Sequence, residues 1–180
     1  MKKVIFSALL TMGLASSAFA ADRSDLQIFN DVSKQVNRYS YFTIFDSVHA
    51  NIHNGVVKLT GKVTMPYKAS DIEKRVAEVD GVKQVVNKIE TLPVSQFDND
   101  LRLRIARAVY TNSALHMYGL GPNSSIHIIV ERGHVTLDGV VNNDSDRLIA
   151  MSVARGFGSF GAVKNDLKTT EEVKNDLEKL

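Results

Sequence analysis

Asn54-Gly55-Val56-Val57-Lys58-Leu59-Thr60-Gly61-Lys62-Val63 returns 78 residues later as Arg132-Gly133-His134-Val135-Thr136-Leu137-Asp138-Gly139-Val140-Val141. The same offset holds without a gap on both sides. Val48, Ala50 and Ile52 fall on Ile126, Ile128 and Val130; Ile72, Val76 and Val79 on Ala150, Ala154 and Phe157; Val85, Asn87 and Ile89 on Val163, Asn165 and Leu167. An alternating pattern and a helical pattern kept in one register over that length mark a tandem duplication.

Working outward, Val48, Ala50 and Ile52 alternate, Asn54-Gly55 is the dipeptide a type I′ turn asks for, and Val57, Leu59 and Val63 resume the alternation. This predicts a hairpin. Before it, Phe29, Val32, Val36 and Tyr39 predict a helix over about 24–38. After it, Thr64 and Pro66 suit a helix start, Ala69, Ile72, Val76 and Val79 stripe that helix, and Gly81 ends it. Val82, Val85 and Ile89 make a third strand. Copy two predicts a helix over about 99–112, a hairpin over 125–141, a helix over about 143–156 and a strand over 162–168. The expected fold class is α+β: two tandem αββαβ domains, each a three-stranded sheet with two helices on one face, docked through the short Leu92-Pro93-Val94-Ser95 linker. The expected domains are residues 21–92 and 93–169, with 170–180 a charged tail whose Val173, Leu177 and Leu180 permit a short surface helix.

The first twenty residues carry Lys2 and Lys3, an apolar stretch from Val4 to about Ala15, and Ala18-Phe19-Ala20. These are the three parts of a secretory signal peptide cleaved after Ala20. With no cysteine in the chain, the product is expected to be periplasmic and not a lipoprotein. Removing Lys2 and Lys3 from 22 basic residues leaves 20 against 20 acidic ones. A neutral chain lacks the basic signature of a nucleic-acid binder, so no nucleic-acid partner is expected.

The repeated (Asn or Arg)-Gly-x-Val-x-Leu-x-Gly-x-Val hairpin, the helix after it and the closing Val-x-Asn-x-(Ile or Leu) strand resemble the BON domain, in two full copies. The runs Tyr41-Phe42-Thr43-Ile44-Phe45-Asp46 and Ile126-His127-Ile128-Ile129-Val130 are also similar to two-copy members. The resemblance implies a Gram-negative envelope protein like the hyperosmotically inducible periplasmic proteins. Such proteins bind phospholipid, support envelope integrity under osmotic or related stress, and carry no catalytic residues. The motif glycines carry over as Gly55, Gly61, Gly133 and Gly139. Gly55 and Gly133 suit turns; Gly61 and Gly139 stand inside strands, where glycine marks a helix packed flush on the sheet or a ligand contact.

Residues able to do chemistry do not converge. A two-residue turn places His53 opposite Val56 and His49 opposite Thr60, Glu131 opposite His134 and His127 opposite Asp138, all away from the apolar side. The two pairs His127/Asp138 and Glu131/His134 lie about 13 Å apart along the strand, so one metal cannot take all four. They read as polar pairs on a solvated face, with no metal, cofactor or catalytic set expected. The cluster Asn142, Asn143, Asp144 and Asp146 reads as helix capping rather than an ion loop. The glycines of Gly156-Phe157-Gly158-Ser159-Phe160-Gly161 follow a helix, so they read as a helix stop and not a nucleotide loop.

A lipid surface fits the composition better. Six of the eight basic residues in 93–168 are arginine, against three of ten in 21–92. Arginine keeps its charge and grips phosphate oxygens with a fork. The candidate lipid-binding set is Arg104, Arg107 and Arg155 for anionic phospholipid headgroups, with Met117, Tyr118 and Leu120 at the acyl boundary. Those last three fall outside any stripe, so periodicity leaves their exposure open. Phe157 holds the register of the buried stripe and reads as core. Exposed apolar surface would equally serve envelope proteins or unfolded clients, which is the alternative reading.

Overall fold

The computed structural model describes residues 23–120, 124–157 and 161–178; the expected signal peptide and its cleavage after Ala20 lie outside the described residues, as does Phe160. The first copy runs α1 (Asp25–Asn37), β1 (Ser47–His53), β2 (Val56–Val63), α2 (Pro66–Ala77) and β3 (Gln84–Thr91). The second runs α3 (Gln96–Thr111), a 3₁₀ turn (His116–Gly119), β4 (Ile126–Glu131), β5 (His134–Val141), α4 (Asp144–Arg155) and β6 (Lys164–Thr169), and α5 (Thr170–Leu177) closes the chain. Each sheet has its strands in sequence order, an antiparallel hairpin extended by a parallel third strand, and each pair of helices packs on one face. The α+β reading is therefore correct.

The cores follow the stripes. Ile28, Val32 and Val36 of α1 meet Val57, Leu59, Ile72 and Val76 in the first; Leu101, Ile105 and Val109 of α3 meet Ile128, Leu137, Ala150 and Ala154 in the second. Complete burial of each Val, Leu or Ile among them stabilises by about 1.5–3 kcal/mol. Phe157 packs on the second core as its register required. Two helix starts differ from expectation. The third helix begins at Gln96 because Ser95 accepts the Asp98 N–H at 3.2 Å. The second is capped by Met65, not Thr64, whose hydroxyl is engaged by Asp46 instead.

Both hairpins turn through two positive-φ residues, Asn54 (52°) and Gly55 (79°), then Arg132 (51°) and Gly133 (77°), the pattern of a type I′ turn. A carboxylate on the preceding helix locks each. Asp25 accepts the N–H groups of Asn54 (2.8 Å) and Gly55 (3.0 Å), and Asp98 those of Arg132 (2.8 Å) and Gly133 (2.7 Å). These backbone bonds hold the Asp25 carboxyl below its ordinary pKa.

Gly61 and Gly139 have another cause than a flush helix or a ligand. At φ of 123° and 116°, a Cβ on either would run into a backbone carbonyl of the neighbouring strand region, Ser47 or Ser125. The close approach is strand to strand, in a backbone region open essentially to glycine alone.

The domains dock through the 41–46 segment. Asp46 is fully buried and accepts bonds from the N–H and hydroxyl of Thr43 (2.8 and 2.7 Å), the N–H and hydroxyl of Thr64 (2.7 and 2.8 Å) and Lys68 Nζ (2.7 Å). Burial pushes its carboxyl up, but the Lys68 ammonium and the Thr donors outweigh that and hold it below the ordinary range. So anchored, the segment packs Ile44 and Phe45 on the second core, and the Ile44 carbonyl accepts the Ile128 N–H at 2.7 Å on the outer edge of β4.

Candidate functional site

The register of both hairpins places His49 opposite Thr60, His53 opposite Val56, His127 opposite Asp138 and Glu131 opposite His134. The face carrying them is not simply solvated, because the domain junction covers part of it. Asp138 is only 7% exposed, and the His127 ring lies 5.4 Å from that of Phe42. From the other domain, Ser47 donates to Asp138 and His49 Nε2 stands 2.8 Å from the same carboxylate oxygen; towards the turn end of the hairpin, Lys62 reaches Glu131. The bond to Asp138 raises the His49 pKa against partial burial, whereas burial lowers that of His127.

Ser47, His49 and Asp138 have the residue types of a nucleophilic triad but not its wiring. His49 meets Ser47 (3.2 Å) and Asp138 through the same nitrogen, Nε2. A general base needs one ring nitrogen on the hydroxyl and the other on the carboxylate. The serine proton is moreover directed at the aspartate. The cluster joins two domains rather than activating an oxygen. Among the described residues no group of three or more His, Asp or Glu side chains converges as a metal site.

The arginine surface forms on α3. At 100° per residue, Phe97, Asp100, Leu103, Arg104 and Arg107 share its outer face, and all five are exposed. Among the described residues neither Arg104 nor Arg107 is in an ion pair; the Arg104 Nε contacts the Asp100 carbonyl at 3.4 Å. Met117 (49% exposed) and Leu120 (72%) follow the helix. Arg155 is exposed in the last turn of α4, on a separate helix that packs against α3.

Tyr118 does not belong to this surface. It is 6% exposed; its hydroxyl donates to Asp146 and accepts the Asn142 N–H at 2.9 Å. It is a buried strut, as Tyr39 is in the first copy, where the hydroxyl donates to Asp71 at 2.7 Å. Sequence reasoning missed Phe97 (46%) and Leu103 (54%), which flank the arginines. Their signal was present: both lie off the Leu101/Ile105/Val109 stripe. Asn143 caps α4 by accepting the Asp146 N–H at 2.9 Å, the capping role expected for that cluster.

The BON domain family's model matches residues 24–93 and again 99–171, which is most of the chain. The chain belongs to the BON domain family. BON domains bind phospholipid and occur in envelope-associated proteins. No curated protein matches the chain. Among solved structures, the C-terminal domain of CdsD, the structural protein of the type III secretion system of Chlamydia trachomatis, is similar at 14% identity. It covers 87% of this chain and 71% of that one, with a TM-score of 0.34. A second CdsD structure matches at 15% identity over 84% of this chain and 97% of that one, TM-score 0.28. Superposition that loose carries no argument about function.

The asparagine of the BON closing strand has a shared mechanical role. Asn87 donates to the Ala69 carbonyl of α2 (3.1 Å) and accepts the Ile89 N–H (3.0 Å); Asn165 donates to the Arg147 carbonyl of α4 (3.0 Å) and accepts the Leu167 N–H (3.3 Å). Each ties an edge strand to its helix and occupies an edge N–H that would otherwise template pairing with another chain. Between the two BON domains lies an open cleft of 1260 Å³, walled by Phe29, Val36 and Val48 on one side and by Leu167, Val173 and Leu177 on the other. The tail helix α5 thus faces this cleft. No described helix is long and apolar enough to cross a membrane.

Proposed function

We propose that the protein is a non-catalytic periplasmic BON protein whose second domain docks on anionic phospholipid and supports envelope integrity under osmotic or related stress. The observation that carries this reading is the α3 outer face, where among the described residues Arg104 and Arg107 are in no ion pair and stand between exposed Phe97 and Leu103. Guanidinium groups hold phosphate oxygens bidentately while the apolar groups enter the acyl boundary. Met117 and Leu120 extend the apolar contact, and Arg155 adds charge from α4. Flotation with vesicles of phosphatidylglycerol and phosphatidylethanolamine tests it against purely zwitterionic vesicles. The protein is expected to float with the first and not with the second; equal recovery from both would refute the headgroup role.

A second reading, holding of unfolded clients, rests on the apolar walls of the interdomain cleft. Suppression of the aggregation of a reduced, unfolded client, undiminished by loss of the α3 arginines, would favour it.

A further inference from the structure

The junction holds a buried guanidinium that is in no ion pair among the described residues. Arg102 is 5% exposed, and its Nη2 donates to the Val130 carbonyl at 2.9 Å. Its Nε is buried with no partner. The carboxylates nearest in the field are already committed: Asp98 holds the β4–β5 turn with both oxygens, and Asp46 holds the 41–46 segment and Lys68. A buried cation without its own counter-ion is destabilising, and packing alone does not require a sequence to bear it. Nor does the scaffold require it. Aligned on the turn-clamping aspartates, the first domain has Phe29 where the second has Arg102, each four residues on.

Arg102 lines a second cleft, of 430 Å³, between the domains. Lys68 faces the same space from the first domain. It is 4% exposed, and its ammonium is bonded to Asp46 and Thr64 (both 2.7 Å), leaving one of three donors unused. Exposed apolar side chains line the cleft too, Met65 at 48%, Leu103 at 54% and Val94 at 97%, with Phe45 on the wall and Thr43 and Gln96 among the polar groups. Two desolvated cationic donors and exposed apolar side chains in one cleft are the recognition elements of a small ligand pocket.

We infer that the interdomain cleft between Arg102 and Lys68 binds one anionic amphiphile, its phosphate or carboxylate oxygen on the two cations and its acyl chain over Met65, Leu103 and Val94. The inference deepens the lipid-binding reading and rests on it for the ligand class. The site shares only Leu103 with the α3 outer face and differs in what it takes: a single molecule in the junction rather than a helix laid on a bilayer. Occupancy would fasten the two domains together, because each supplies one cation.

The test is titration of the full chain with three probes below any micelle concentration: dihexanoyl phosphatidic acid, decanoate and inorganic phosphate, read by calorimetry and thermal shift. The two amphiphiles should bind about tenfold or more tighter than inorganic phosphate, and Arg102→Met should weaken them by about tenfold or more. Arg102→Met should be at least as stable as the wild type without probe, since it removes an unpaired buried charge. Should that variant misfold, the exposed pair Met65→Gln and Val94→Gln should still weaken decanoate. Which amphiphile binds tighter identifies a phosphate or a carboxylate head. Retention of full affinity in Arg102→Met, or inorganic phosphate binding as tightly as the amphiphiles, would overturn the site. Arg104→Gln with Arg107→Gln should leave these titrations unchanged while weakening flotation, so failure of the surface reading is told apart from failure of the cleft.

Discussion

The two BON domains share their mechanics and differ in their surfaces. Each clamps its type I′ turn with a helix aspartate, braces its second helix with a buried tyrosine and closes its edge strand with an asparagine. Each also admits a strand carbonyl beside a glycine. What diverges is the first helix of each copy. The inner side of α1 carries Phe29 where α3 carries Arg102, and the outer face of α3 adds Arg104 and Arg107 between apolar groups. The repeated features are those that folding demands twice; the unrepeated ones are not required by the shared fold.

The most severe way to break this equivalence is at the strand glycines. Gly61→Ala and Gly139→Ala combine a carbonyl collision with a positive φ, and each should cost about 4 kcal/mol in denaturant unfolding of the full chain. Tolerance of either would show that the copies do not share this constraint.

The turn clamps sharpen the comparison further. Asp98 is 1% exposed, whereas Asp25 is half-buried. Asp98→Ala should cost about 3 kcal/mol and Asp25→Ala about 1 kcal/mol, since the deeper carboxylate leaves its two N–H donors without water. Equal losses in equilibrium unfolding would deny the difference in burial.

The smallest effect concerns the junction. The His49 pKa is raised in the folded chain from an ordinary 6.5, so its contribution is complete below that value and is lost as pH rises through the folded pKa. Asp138 is depressed, so its contribution is present above an ordinary 3.8 and is lost as pH falls through its folded pKa. The His49–Asp138 pair is therefore strongest between those limits. His127, depressed by burial, acts oppositely and favours higher pH. His49→Gln should lose more stability at pH 6 than at pH 8.5, by a few tenths to about 1 kcal/mol because the ring is largely solvated. A loss independent of pH in thermal scans would contradict a charged link between the domains.

The duplication, the hairpin register and both apolar stripes were legible because they are periodic, and periodicity needs no knowledge of distant residues. The turn clamps were not: Asp98 lies 34 residues before Arg132, and no local pattern pairs a helix carboxylate with a turn. Tyr118 reads as exposed or buried until Asp146, 28 residues on, is known to receive its hydroxyl. The polar sheet face looked solvated because a single domain's pattern says nothing of a neighbour laid over it. The glycines at 61 and 139 were recognised as close approaches, but the approaching group is a backbone carbonyl, to which side-chain patterns are blind. The arginine enrichment of the second copy was visible in composition. Its placement beside Phe97 and Leu103 needed the helix face.

The central claim, that the second BON domain meets anionic phospholipid through its arginines, is tested most directly by vesicle flotation of Arg104→Gln/Arg107→Gln/Arg155→Gln over a range of salt. Each arginine near an anionic surface contributes about 1 kcal/mol, so the triple variant should bind roughly a hundredfold more weakly than the wild type. Wild-type binding should itself fall as salt rises. Unchanged, salt-independent flotation of the triple variant would contradict the account.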